Sequence, residues 1–163
     1  MDELVARARA ALELVTDPEI PQLNLRELGV LRDVRASAEG LEIVLTPTYS
    51  GCPALDQIEQ EVRAKMAELG LPARITRQLV PAWSSDWLGA DARAKLRAAG
   101  IAPPQPAAGG AVVHFTAPRQ APLPCPRCGS GRTETIAPFG STACKALHRC
   151  LDCGEPFDYF KPY

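Results

Sequence analysis

Histidine is nearly missing from this chain: there are two in 163 residues, His114 and His148, and neither falls in the first hundred positions. Acid–base chemistry through imidazole is therefore not available to the first part of the chain. The sequence also contains no P-loop, no G-x-G-x-x-G and no Ser-His-Asp set. An excess of charge of one sign is lacking too. A formal net charge of -1 and a pI near 6.1 supply no overall attraction for nucleic acid or anionic lipid, so neither is expected as a partner. No apolar run approaches the ~18 residues that cross a bilayer. Asp2 and Glu3 stand where a signal peptide would carry its basic region, so cytoplasmic residence is the expectation. There is no internal repeat.

What is present fits one ordinary core with a small appended module, since 46% of the residues are hydrophobic and 23% charged. Leu4, Val5, Ala8, Ala11, Leu12 and Val15 recur at helical steps, and Asp17-Pro18 stops that helix. A short helical turn is expected at 25–29. A strand over 30–35, a turn at 37–40 and a strand over 41–46 then read as a hairpin. Leu55, Ile58, Val62, Met66 and Leu69 mark a second helix ending before Gly70. A third strand is expected over 73–80 and a third helix over 90–99, closed by Gly100. The order is α+β: a small three-helix, three-strand domain over 1–100. Residues 101–121 read as a linker rich in proline, alanine and glycine, with a candidate short strand at 112–116.

Residues 122–163 form the second module. Cys125-Pro126-Arg127-Cys128-Gly129 and Cys150-Leu151-Asp152-Cys153-Gly154 are two knuckles with 21 residues between their cysteines. Each knuckle sets two thiolates on one tight turn, and two such turns complete a closed tetrahedral shell suited to a structural zinc ion. A rubredoxin-like iron site with the same ligands, or two redox pairs, are the alternatives. The segment is too short for a hydrophobic core of its own, so the ion would supply much of its folding free energy. Cys144 lies ~20 Å from Cys150 along an extended strand, too far to share that ion. It reads as a buried strand residue, with an additional functional thiol as the alternative. His148, on the same strand face, reads as a packed residue rather than a ligand. With five basic and four acidic residues and its aromatics gathered toward residue 163, the module suits protein contact better than nucleic acid.

In the first domain Cys52 stands between a strand and a helix, with Pro53 suited to the first helical position. A helix N-terminus favours anions, which would lower the thiol pKa and make Cys52 a candidate nucleophile or soft-metal ligand. The alternative is a cysteine that merely starts the helix. Asp17 and Glu19, flanking Pro18, are carboxylates in a loop that could be no more than a helix stop.

The residues at 15–21 (V-T-D-P-E-I-P), 28–30 (L-G-V), 45–53 (L-T-P-T-Y-S-G-C-P) and 81–83 (P-A-W) resemble the metal-sulfur cluster assembly domain of cytosolic iron–sulfur biogenesis. That resemblance covers nearly all of the first 100 residues. It implies that the D-P-E loop and the cysteine meet at one site, and it assigns Asp17, Glu19 and Cys52 as candidate cluster or iron ligands. The segments at 125–130, 139–147 and 150–163 resemble a ribbon-bearing family of accessory proteins in the bacterial phenylacetyl-CoA epoxidase system. This second resemblance implies an accessory or maturation role, with iron or an iron–sulfur cluster as transient cargo, and the missing acid–base partner set argues against independent catalysis. The expected partners are the diiron oxygenase or its iron–sulfur flavin reductase, and an integral epoxidase subunit is the alternative. One thiolate cannot hold a cluster alone, so a homodimer or a client must complete the site.

Overall fold

The computed structural model describes residues 2–105 and 122–163. The strand expected at 112–116, and His114 within it, lie outside the described residues. The chain divides into two compact units, one up to Ala92 and one from Arg93.

In the first unit α1 (Asp2–Leu12) buries Ala8 and Leu12, the centre of the expected apolar stripe. It unwinds three residues before Val15, and the chain then closes a loop of paired backbone. Leu25 N–H donates to Val15 O at 3.1 Å, Thr16 bridges Asn24, and Asp17 N–H donates to Leu23 O at 3.2 Å. The four-residue α2 (Leu25–Leu28) follows because Asn24 caps it. The Asn24 side chain accepts from Glu27 N–H at 2.8 Å, while the Glu27 carboxylate accepts from Asn24 N–H at 3.1 Å.

Strands β1 (Leu31–Ser37) and β2 (Gly40–Leu45) form the antiparallel hairpin, and β3 (Ala73–Arg77) adds parallel to β2 after the crossover helix α3 (Ala54–Glu68). The sheet order is β1-β2-β3. Helix α3 buries Leu55, Ile58, Val62 and Met66, and Arg77 ties β3 to it through Asp56 and Glu59. The core gathers Leu12, Ile20, Leu23, Ile43, Leu45 and Ile58. Strand β3 is three residues shorter than expected. Its partner β2 ends at Leu45, Gln78 N–H makes the last contact to Leu45 O at 2.8 Å, and Leu79 and Val80 emerge 64% and 83% exposed.

The second unit holds most of α4 (Ala90–Ala98), then β4 (Ile101–Ala102), β5 (Thr133–Ala137), β6 (Lys145–Cys150) and β7 (Pro156–Phe160). Its sheet order is β4-β7-β6-β5. The division of the chain falls at Ala92, ahead of the boundary expected after residue 100. The reason is a pairing with no local signal: Ile101 and Ala102, read as linker, run parallel to Asp158 and Tyr159 of β7. Ala102 also packs in a small core with Leu123, Cys125, Cys150 and Phe157.

Candidate metal centres

Each unit holds one candidate thiol site. In the second unit the knuckles are built alike. Gly129 N–H donates to Cys125 O at 2.9 Å and Gly154 N–H to Cys150 O at 3.0 Å, and both glycines take φ = +77°, a region that costs other residues strain. Cys125 N–H and Cys150 N–H are held by Ser130 O and Glu155 O. The turns bring the four sulfurs of Cys125, Cys128, Cys150 and Cys153 within 4.8 Å of one another. Cys125 and Cys153 are 3.8 Å apart at sulfur, and Cys128 and Cys150 are 3.5 Å apart. A tetrahedron with metal–sulfur bonds of ~2.3 Å has edges of ~3.8 Å, so the cage fits a tetrahedral ion.

Protonation supports the same conclusion. The Cys153 N–H draws the Cys150 thiol down to about 7 against the opposing effect of burial. Ser130 N–H favours the Cys128 thiolate, yet the contact with Cys150 and burial carry that thiol up to about 12. A bound divalent ion would displace the proton that the raised Cys128 thiol otherwise keeps.

Cys144 is outside this cage. It is buried just before β6, with its Sγ 3.0 Å from Thr142 Oγ1 and its carbonyl accepting from Lys161 N–H. His148 is buried between rings, stacked on Phe157 at 5.8 Å and edge-on to Tyr159 at 5.3 Å, and burial lowers its pKa. Neither adds to the four-sulfur group.

In the first unit Cys52 sits at the end of the loop from β2 to α3. Its N–H donates to Tyr49 O, its carbonyl accepts from Leu55 N–H, and Pro53 takes the cap position with helical backbone angles. The sulfur is half-buried, accepts from Ala54 N–H and lies 3.9 Å from Thr48 Oγ1. The fields of Glu19 and Asp17 both act on it. The charges of the D-P-E loop, about thirty residues away in sequence, thus reach this thiol.

The expected depression of the Cys52 pKa is overturned. Burial raises it, and the Glu19 and Asp17 charges raise it further, together outweighing the Ala54 N–H and the Thr48 hydroxyl. Sequence reasoning misses Thr48, whose only signal is its place four residues before Cys52. It also misses the exposed Leu79 and Val80, which read as strand and open the loop that continues through Pro81 and Ala82. Because β2 and β3 are parallel and paired at Leu45 and Arg77, that apolar loop leaves the sheet from the same end as the Cys52 loop.

A family model described as "Iron-sulfur cluster assembly protein" matches residues 6–76, and one described as "PaaD zinc beta ribbon domain" matches residues 110–161. A relative from Escherichia coli (strain K12), named as one of the subunits of a putative 1,2-phenylacetyl-CoA epoxidase, is 48% identical over 153 residues, which is 93% of this chain and 89% of that protein. The chain belongs to the PaaD family. It is also 34% identical over 88 residues to the Porphyromonas gingivalis "Fe-S protein maturation auxiliary factor", covering 52% of this chain and 83% of that one. The crystal structure of a DUF59 domain from Bacillus anthracis matches 58% of this PaaD-family chain and 92% of its own, with a TM-score of 0.53 and 26% identity. Among the described residues no helix is long and apolar enough to cross a membrane.

Proposed function

We propose that this PaaD-family protein is an accessory factor that passes iron, or an iron–sulfur unit, to a phenylacetyl-CoA epoxidase of the multicomponent oxygenase type. The observation that supports this reading is the half-buried Cys52 thiol at the start of α3, on which the charges of Glu19 and Asp17 act. A soft thiolate and hard carboxylate oxygens are a donor set that takes iron and, being incomplete, also lets it go. The family model described as an iron–sulfur cluster assembly protein spans both the D-P-E loop and Cys52, and a relative named for Fe-S protein maturation matches about half of the chain. Iron enters as cargo, and a second copy of the chain or the client completes its coordination. The cytoplasm is where such a client would be met.

The four-sulfur site takes zinc in a structural role. A closed shell of thiolates leaves no position for substrate, and the ion cross-links two turns that share only a small core. The ribbon is then free to dock the client.

The test is anaerobic loading of the zinc-bound chain with iron and sulfide, read by iron content and by thiolate-to-iron absorption. Wild type is expected to gain a band that Cys52→Ser lacks, and equal uptake by both would reject the reading. The name of the Escherichia coli relative favours one alternative, a fixed place in the epoxidase complex. Co-purification with the oxygenase in constant ratio, and loss of turnover when this chain alone is withdrawn from a matured complex, would establish that instead.

A further inference from the structure

The four-sulfur cage is covered unevenly. Cys125 and Cys150 lie in the small ribbon core, 2% and 0% exposed, whereas Cys128 and Cys153 are exposed. Packing therefore fixes one ligand of each knuckle and leaves the other to be held by different means. A competing chelator reaches an ion through its accessible ligands, so release would begin at Cys128 and Cys153.

The chain beside these two residues is cross-linked. Ser130, two positions after Cys128, donates its hydroxyl to Asp152 Oδ2, and Arg132 Nη1 donates to Asp152 Oδ1 at 2.6 Å. Asp152 is the residue just before Cys153. Ser130 Oγ also accepts from Arg132 N–H at 3.0 Å, and Leu151 N–H donates to Arg132 O at 2.8 Å. Both oxygens of the Asp152 carboxylate are thus engaged by the segment that follows the first knuckle, and that segment is bonded to the backbone of the second. The first knuckle lacks a counterpart. At the position equivalent to Asp152 it carries Arg127, whose guanidinium lies beside Gly100.

We infer that Asp152, gripped by Ser130 and Arg132, is a clamp that keeps the two exposed thiolates at ligating distance and so sets how slowly the ribbon gives up its ion. Asp152 is a positioning residue that acts through the backbone of Cys153. When one metal–sulfur bond opens, a sulfur on a tethered turn closes it again before the knuckles separate. Without the tether the competing chelator takes the vacated position. This role rests on the structural-zinc reading above and deepens it. On the proposed function the chain handles iron as cargo, and slow exchange at the ribbon keeps cargo and structural ion apart.

The experiment follows zinc release from the full chain into excess chromophoric chelator at neutral pH, with a thermal melt and the cobalt(II) absorption spectrum of each variant. Asp152→Ala removes both acceptor oxygens, and Ser130→Ala and Arg132→Ala remove one side-chain donor each. Glu155→Gln removes a carboxylate from the same turn that takes no part in the clamp. Asp152→Ala should release zinc about tenfold faster than wild type and Ser130→Ala about threefold, as expected for exposed hydrogen bonds to a charged group. The cobalt spectrum should remain that of four thiolates, because the ligands are unchanged. Ser130→Ala combined with Asp152→Ala should release no faster than Asp152→Ala alone, since both remove the same bond. Glu155→Gln should match wild type. The inference is overturned if Asp152→Ala keeps the wild-type rate, if the Ser130 and Asp152 effects multiply, or if Glu155→Gln speeds release as much as Asp152→Ala, which would make the effect one of charge. Should Asp152→Ala fail to fold, Ser130→Ala and Arg132→Ala decide the question, and wild-type rates in both reject the clamp. A wild-type chain that binds no zinc would reject the parent reading instead.

Discussion

At the scale of single residues the Cys52 thiol yields a measurable sign. Burial and then the charges of Glu19 and Asp17 raise its pKa, so the free thiol stays protonated at neutral pH and the reactive thiolate is scarce. In the zinc-loaded chain the four ribbon sulfurs are occupied and Cys144 is buried. Alkylation with iodoacetamide should therefore report Cys52 alone, run slower than free cysteine at pH 7.5, and keep accelerating above pH 9. Glu19→Gln removes a nearby negative charge, lowers the thiol pKa and should speed the reaction at pH 7.5 several-fold. A slower reaction in that variant would contradict the electrostatics. The direction was not legible in the sequence. A helix start argues for a lowered pKa, while burial and a loop thirty residues away decide otherwise. A second residue, Thr46, has a buried hydroxyl for which no hydrogen-bond partner is found among the described residues. Replacing it with valine removes an unsatisfied polar atom at nearly constant shape. Thr46→Val should stabilise the protein by about 1 kcal/mol in urea unfolding.

At the scale of elements the divided ribbon sheet makes the sharpest claim. Strand β4 has two residues and is held by its parallel pairing to β7 and by Ala102 in the small ribbon core. If the metal supplies the folding free energy of β5, β6 and β7, chelation should expose the amides of Ile101 and Ala102 together with those strands. Hydrogen exchange followed by mass spectrometry reads this directly. Protection of β4 that survives loss of the metal would return residues 101 and 102 to the linker.

Helices α1 and α3, the β1–β2 hairpin and both knuckles were legible because their signals are local: apolar spacing, turn residues and cysteine pairs. Strand β4 was not, since Ile-Ala before two prolines carries no period and its partner lies fifty-seven residues downstream. The overlong reading of β3 has the same origin. Leu79 and Val80 favour a strand, but β2 ends at Leu45 and leaves them nothing to pair with.

At the scale of the whole molecule the two thiol sites should behave as independent metal sites with opposite selectivity. The ribbon offers four sulfurs in a closed cage, an arrangement that holds zinc tightly and exchanges it slowly. On the function proposed above, Cys52 in the first unit is an open site at which iron would bind only when further donors arrive. Purified protein should contain one zinc per chain whether or not Cys52 is present. Cys52→Ser should leave both the zinc content and the melting temperature unchanged while abolishing iron uptake. Cys125→Ser should do the reverse: the ribbon loses its ion and its protection from exchange. Iron added to that variant should still reach Cys52, and blocking Cys52 by alkylation should then remove it. The discriminating measurement is elemental analysis of wild type, the two single variants and the double variant after identical loading. Additive losses, one zinc from one substitution and iron from the other, support two separate sites. Loss of zinc on replacing Cys52, or of all Cys52-dependent iron on replacing Cys125, would show that the sites are coupled and that the ribbon's ion serves delivery as well as folding.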